Sequence, residues 1–157
     1  MQHNQNLIIV KTPVGWVGVA VSEQGICRVV LPKKDKKIVE QELKSARCAS
    51  PLTRALSPEG RGRKKASSYA MNSPSEIMNN VVPLLRRYFS GKRVLFDLPL
   101  DMRYYTDFQQ AVWKAAAKIP FGETRSYGWI AQRIKNPRAV RAVGQALGAN
   151  PIPVIIP

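Results

Sequence analysis

A chain of 157 residues with an apolar share of 45% can bury one medium core or two small ones. No apolar run nears the roughly 18 residues of a membrane-spanning helix, and the start MQHNQNLIIV lacks the basic flank of a signal peptide, so a cytoplasmic protein that avoids membranes is expected. Lys and Arg number 25 against 10 Asp and Glu, a net charge of +15, which suits a polyanionic partner.

The positive excess has two sources: six cations from Arg47 to Lys65 stand against Glu59 alone, and eight from Asp101 to Arg141 stand against three acids. The two cysteines, Cys27 and Cys48, have 20 residues between them, no CxxC pair occurs, and the one histidine is His3. Neither a disulfide framework nor a zinc site is expected from that pattern.

In chain order, residues 7–31 alternate apolar and small residues around turn signals at Pro13, Gly15 and Gly25, as a meander of three antiparallel strands would. Residues 33–44 set Ile38, Val39 and Leu43 among charges, a short amphipathic helix whose Lys33, Lys34, Lys36 and Lys37 form a solvated face. Residues 46–75 have almost no large apolar side chains and read as a disordered basic insertion, with DNA tethering as its alternative role. A loop insertion of this kind costs little closure free energy, so the surrounding fold should tolerate it.

Helical spacing returns over 75–89 through Ile77, Met78, Val81, Val82, Leu84, Leu85, Tyr88 and Phe89, opened by a Ser-Pro-Ser signal, kinked at Pro83 and stopped near Gly91. FDLPLD at 96–101 is extended and closes a first domain, 1–100, before a second, 101–157. Thr106 then caps a helix over 106–119 with Phe108, Val112, Trp113 and Ala116 on one face, ended by Pro120, Phe121 and Gly122. Two further helices follow, over 126–134 and 137–147, the second with Asn136 as N-cap and Pro137 at its first position. The result is an α+β chain: a small antiparallel-sheet domain, then three short helices that suggest a helix-turn-helix.

In PRAVRAVGQAL, residues 137–147, Ala139, Ala142, Val143, Gly144 and Ala146 keep the last helix thin while Arg138 and Arg141 project from it. Small residues on a helix more often serve helix packing, and taken alone this stretch favours that reading. Its neighbours are more specific: IPFGETRSY at 119–127, Ile130-Ala131, RAVG at 141–144 and NPIPVIIP at 150–157. In order and spacing these blocks resemble the O6-alkylguanine-DNA alkyltransferases, also called methylated-DNA-protein-cysteine methyltransferases. TPVGWVGVAV, the Gly25-Ile26 turn into VVLP, LRRYFSGK and FDLPLD are similar to the same family.

The resemblance implies a ribonuclease H-like first domain and a winged-helix-like second one, incomplete here. It implies a partner, duplex DNA containing O6-alkylguanine, gripped through the minor groove by a protein that turns the damaged base outward. Arg141 matches the arginine that fills the vacated stack, and Tyr127 the tyrosine that crowds the target phosphate. Asn150 matches the asparagine tying the recognition helix to the active-site segment, and residues 153–156, starting at Pro153, the apolar wall that delivers the nucleophile. Arg138, Ala139, Gly144, Thr106 and Arg125 complete the expected DNA-facing set. No metal and no cofactor is implied, and a monomer is expected.

In the family the next residues would be Cys-His-Arg, so the catalytic nucleophile is expected immediately after Pro157, and the chain as it stands is expected to be inactive. Cys27 and Cys48 lack the neighbouring His-Arg and are expected to be structural or incidental. A fragment, a natural loss leaving a non-catalytic binder of alkylated DNA, and a UGA codon for selenocysteine each fit an end at this position; the last is preferred, because the end falls at the nucleophile itself, and a selenol would ionise more readily than a thiol of pKa about 8.5. A helix-turn-helix transcription regulator is the remaining alternative, and it would dock in the major groove.

Overall fold

The computed structural model describes residues 6–45 and 73–157; the expected insertion at 46–75 lies almost wholly outside them. The chain divides into two compact units, residues 1–104 and 105–157, which are taken in turn.

In the first unit, β1 (Asn6–Thr12), β2 (Gly15–Ser22) and β3 (Gly25–Lys33) form an antiparallel sheet in sequence order. Thr12 pairs with Gly15 across a two-residue turn, and Ser22 pairs with Gly25 across another. Every residue of β2 from Val17 to Val21 is buried, which requires cover on both sheet faces because side chains alternate along a strand. On one face sits α1 (Lys36–Ser45), whose Val39 and Leu43 join Ala20, Cys27 and Val30 in a core cluster. Helix α1 comes so close that a Cβ on Gly18 would lie 2.6 Å from a Val39 methyl. Helix α2 (Pro74–Phe89) also packs against all three strands, burying Ile77, Val81 and Leu85.

Helix α2 begins at Pro74, ahead of the expected start. Ser73 and Glu76 close a reciprocal capping box at its N-terminus, and the helix runs through Pro83 to Phe89. That box satisfies two backbone donors that the serine two residues later could not reach. Helix α1, by contrast, starts later than the pattern suggests, because Lys33 still belongs to β3.

The segment after α2 returns to the sheet as a parallel bridge between Ile26 and Leu100. Ile26 N–H donates to Pro99 O at 2.8 Å and Asp101 N–H to Ile26 O at 2.8 Å. Gly25 makes this possible: its φ is +144° and a Cβ there would stand 2.4 Å from Pro99 O, so only glycine fits. Asp101 is 1% exposed. Its carboxylate accepts from Ser22 Oγ at 2.6 Å and from Arg103 Nε and Nη2 at 2.8 and 2.9 Å.

Cys27, buried in β3, is disulfide-bonded, where the cysteine count alone led to no expectation of a disulfide.

The second unit holds α3 (Asp107–Ala116), α4 (Tyr127–Arg133) and α5 (Val140–Gly148), each packed on the other two. Thr106 caps α3 through a capping box with Gln109. Helix α3 ends at Ala116 rather than near 119, where Ala117, Lys118 and Ile119 continue only as tight turns. Val112, Trp113, Ala116, Ile130, Ala131, Val143 and Ala146 form the core between the helices.

Helix α5 begins at Val140 with Ala139 as N-cap and no side-chain cap, so Asn136 is not its cap. Lys135 and Asn136 instead close α4: Lys135 N–H donates to Gln132 O and Asn136 N–H to Ala131 O, the paired bonds of a Schellman ending. Asn136 O then accepts from Ala139 N–H at 3.0 Å, which turns the chain into α5. The ending places Lys135 at φ +59°, a left-handed position that costs an L-residue roughly 1 kcal/mol and glycine little. Lys135→Gly is therefore expected to raise stability by about 0.5 kcal/mol, the relief being partly offset by the freer unfolded chain; urea denaturation showing a loss would contradict this.

Candidate nucleic-acid interface

Helix α5 turns Val143 and Ala146 inward and leaves Arg141 exposed, with Gly144 three residues further along the same side. Tyr127, the first residue of α4, is half exposed, and its ring lies against Gly144: a Cβ there would be 3.1 Å from Tyr127 Cε2. Gly144 thus does more than thin the helix. It seats an aromatic ring one turn along from Arg141, a contact that sequence spacing could not reveal because α4 and α5 are separate elements.

Ser126 fixes where Tyr127 begins its helix, accepting from Trp129 N–H as the α4 N-cap. Gly144→Ala is expected to displace the Tyr127 ring by a few tenths of an ångström at little cost in stability, because the ring is half exposed and free to give. The cost should be within about 1 kcal/mol, while the ring's nuclear magnetic resonance shifts move; an unaltered Tyr127 environment would contradict the contact.

Arg138 is exposed in the turn before α5, and Ala139 is its half-buried N-cap. Thr106 is exposed at the start of α3. Arg125 pairs with Glu123 and lies 5.7 Å from the centre of the Trp129 ring. No hydrogen bond or ion pair joins the side chains of these four to Tyr127 or Arg141 among the described residues.

Beyond α5 the chain forms a compact turn where an extended wall was expected. Ile156 N–H donates to Ile152 O at 3.0 Å, and Pro153 bridges Ile156. Three prolines, Pro151, Pro153 and Pro157, lack the N–H groups of a strand ladder. Asn150 brackets the turn, its Nδ2 donating to Ile156 O at 2.9 Å and its Oδ1 accepting from Ile152 N–H at 2.9 Å. Val154, within it, has φ +78°; for a β-branched residue this is a strained state that persists only where its surroundings over-determine it. Pro151, Ile152, Ile155 and Ile156 are buried and Pro153 half-buried. The asparagine therefore ties the exit of α5 to the peptide just before Pro157.

No group of three or more metal-ligating side chains occurs among the described residues, and none of their helices is long and apolar enough to cross a membrane.

A small sheet-and-helix unit followed by a three-helix unit in which α4 and α5 form a helix-turn-helix defines a class of α+β nucleic-acid-handling proteins. The particular family follows from comparison with known proteins. Residues 7–102 match the family model "6-O-methylguanine DNA methyltransferase, ribonuclease-like domain", and residues 107–157 match "6-O-methylguanine DNA methyltransferase, DNA binding domain". The chain belongs to this family of methylated-DNA–protein-cysteine methyltransferases.

Curated relatives so named include one from Mycobacterium bovis, 56% identical over 79 residues, which are 50% of this chain and 47% of that protein. Another, from Methanosarcina mazei, is 56% identical over 82 residues, 52% of this chain and 51% of that one. The chain thus spans about half the length of the curated relatives it matches. The crystal structure of Mycobacterium tuberculosis O6-methylguanine methyltransferase superposes with a TM-score of 0.63 at 33% identity, over 98% of this chain and 76% of that one. Mycobacterium tuberculosis OGT in complex with DNA gives a TM-score of 0.61 at 32% identity, over 96% and 74%.

Proposed function

We propose that the protein binds duplex DNA carrying O6-alkylguanine, enters the minor groove with α5, turns the damaged base out of the stack and presents it for transfer of the alkyl group to a cysteine or selenocysteine that follows Pro157. The single observation that supports this reading is the seating of the Tyr127 ring, carried by α4, on Gly144 of α5, three residues along that helix from the exposed Arg141.

Each role follows from its chemistry. A base leaves the stack at a cost of a few kcal/mol. Arg141, exposed and long, fills the vacancy and offsets part of that cost, while Tyr127 crowds the phosphate and favours the rotated backbone. Arg138, Ala139, Gly144, Thr106 and Arg125 supply the surrounding DNA-facing surface, with phosphates as the main targets of the cations. Asn150 fixes the turn at 150–157, and Pro153 lines the pocket that receives the base.

In the transfer step the acceptor thiolate or selenolate attacks the alkyl carbon. The bond from that carbon to guanine O6 breaks, guanine keeps the electron pair, and a thioether or selenoether forms on the protein. Cys27 is buried and disulfide-bonded, which supports an acceptor elsewhere. Neither a cofactor nor a metal takes part, and the protein works as a monomer in the cytoplasm, consumed in one turnover.

Arg141→Ala should reduce the preference for alkylated over plain duplex by roughly tenfold, since a vacated stack then goes unfilled, and should change affinity for plain duplex much less. Titrating both duplexes at fixed salt checks it; an equal loss on the two would overturn the assignment. A chain that includes the residues encoded after Pro157 should gain the mass of one alkyl group on the first of them when incubated with O6-alkylguanine duplex. The alternative of a non-catalytic binder predicts lesion preference with no such gain.

A further inference from the structure

A second cationic surface lies on the same helical unit. Helices α3 and α4 enclose a groove of about 290 Å³ with a floor of Ala111, Ala115 and Ile134, and walls that carry Lys114, Lys118, Arg133 and Trp129. No residue of α5 lines it. Lys114, Lys118 and Arg133 are exposed and form no ion pair among the described residues, and no acid lines the groove. The Arg133 guanidinium lies 5.0 Å from the centre of the Trp129 ring and that of Arg125 5.7 Å from it.

Stacking on an aromatic ring holds a guanidinium plane in place while leaving its N–H edge free, the arrangement that grips a phosphate through two hydrogen bonds. Two lysines across the groove add point charges at the opposite wall. With three cations and no carboxylate in its lining, the groove attracts a chain of phosphates and offers a basic partner nothing to pair with.

We propose that the groove between α3 and α4 holds the phosphodiester backbone of a nucleic-acid strand beyond the segment engaged by α5. This rests on the DNA-binding reading above and extends it: the helical unit meets DNA once through α5, where Arg141 enters the stack and Arg138 faces phosphate, and again through a phosphate track on α3 and α4 with Lys114, Lys118 and Arg133. The second track anchors flanking DNA and carries no lesion preference.

The test compares the full chain with the triple variant Lys114→Ala, Lys118→Ala, Arg133→Ala on a plain duplex of about 10 base pairs, one helical turn, and on one roughly three times longer. All three side chains are exposed, so matched thermal melts confirm that the variant folds. On the long duplex the variant should lose about tenfold in affinity at low salt, and the slope of log affinity against log salt should fall by about 2.7, each of the three lost phosphate contacts contributing roughly 0.9. On the short duplex it should match the parent. An unchanged long-duplex slope, or an equal loss on both lengths, overturns the second track. Failure of the parent chain to bind the short duplex overturns the α5 reading instead. Stronger loss on vesicles of anionic lipid than on the long duplex would assign the groove to a membrane surface and overturn the proposal.

Discussion

Trp113→Ala is expected to unfold the helical unit or bring it close to unfolding. Trp113 is fully buried, its ring meets Tyr105 edge-on at 4.8 Å, and its indole N–H donates to Ala146 O at 2.8 Å. Ala146 sits in the last turn of α5, where carbonyls have no partner within the helix. Asn150 N–H, which an additional turn would have directed there, goes to Leu147 O instead. The tryptophan thus fills the centre of the three-helix core and satisfies the end of the very helix that presents Arg141.

Removing so large a buried side chain costs about 3–5 kcal/mol. The unit comprises only residues 105–157, and small domains bury a small fraction of their surface and have little stability to lose. Trp113→Phe keeps most of the packing and gives up only the indole N–H, so it should cost about 1–3 kcal/mol, the desolvation of a carbonyl left unpaired. Urea titration followed by far-ultraviolet circular dichroism, with amide spectra to assign the loss to α3–α5, orders the two variants. A loss under about 1 kcal/mol for the alanine variant would contradict the central role given to this residue.

Periodicity and punctuation carried most of the element types, because they register one-dimensional constraints: alternation over residues 7–31, 3.6-residue spacing around Ile77, Val81 and Leu85, capping at Thr106. Boundaries slipped where a residue had two compatible uses. Asn136-Pro137 has the form of a helix start, yet Asn136 is taken up in closing α4. The apolar run at 153–156 has the composition of a strand, yet prolines that cannot donate and the bracket from Asn150 fold it into a turn. Of the candidate site, Tyr127, Arg141 and Asn150 were singled out through resemblance, while the ring of Tyr127 on Gly144 required the tertiary fold. The cation and tryptophan groove on α3 and α4 drew no attention in sequence, because Lys114, Lys118, Trp129 and Arg133 fall at spacings that look like ordinary solvated helix faces.

Asp101→Asn is the second large effect, and it reaches stability through acid sensitivity. Burial pushes the Asp101 carboxyl toward a higher pKa, but hydrogen bonds from Arg103 and Ser22 and the charge of Arg103 outweigh it, and the net direction is downward. A carboxyl held below its unfolded value binds fewer protons in the folded state. Its contribution is therefore fully present above the unfolded pKa of about 3.9 and is lost as pH falls through the lower folded value. The network spans 79 positions, from Ser22 at the end of β2 to Asp101 at the end of the returning segment, so it fastens that segment to the sheet beside the Ile26–Leu100 bridge. Asparagine keeps the size but loses the charge, and its amide N–H₂ faces donors on Ser22 or Arg103. With hydrogen bonds to a charged group worth about 1.5–3 kcal/mol each, and Arg103 free to turn into water, a net loss of about 2–4 kcal/mol at neutral pH is expected. Below about pH 4 the gap between the variant and the parent should narrow, because the parent's unfolded state then binds a proton that its folded state still excludes. Urea midpoints measured from pH 7 down to pH 3 check both parts: a gap that stays constant across that window would show that the ionised carboxylate is not what holds the segment in place.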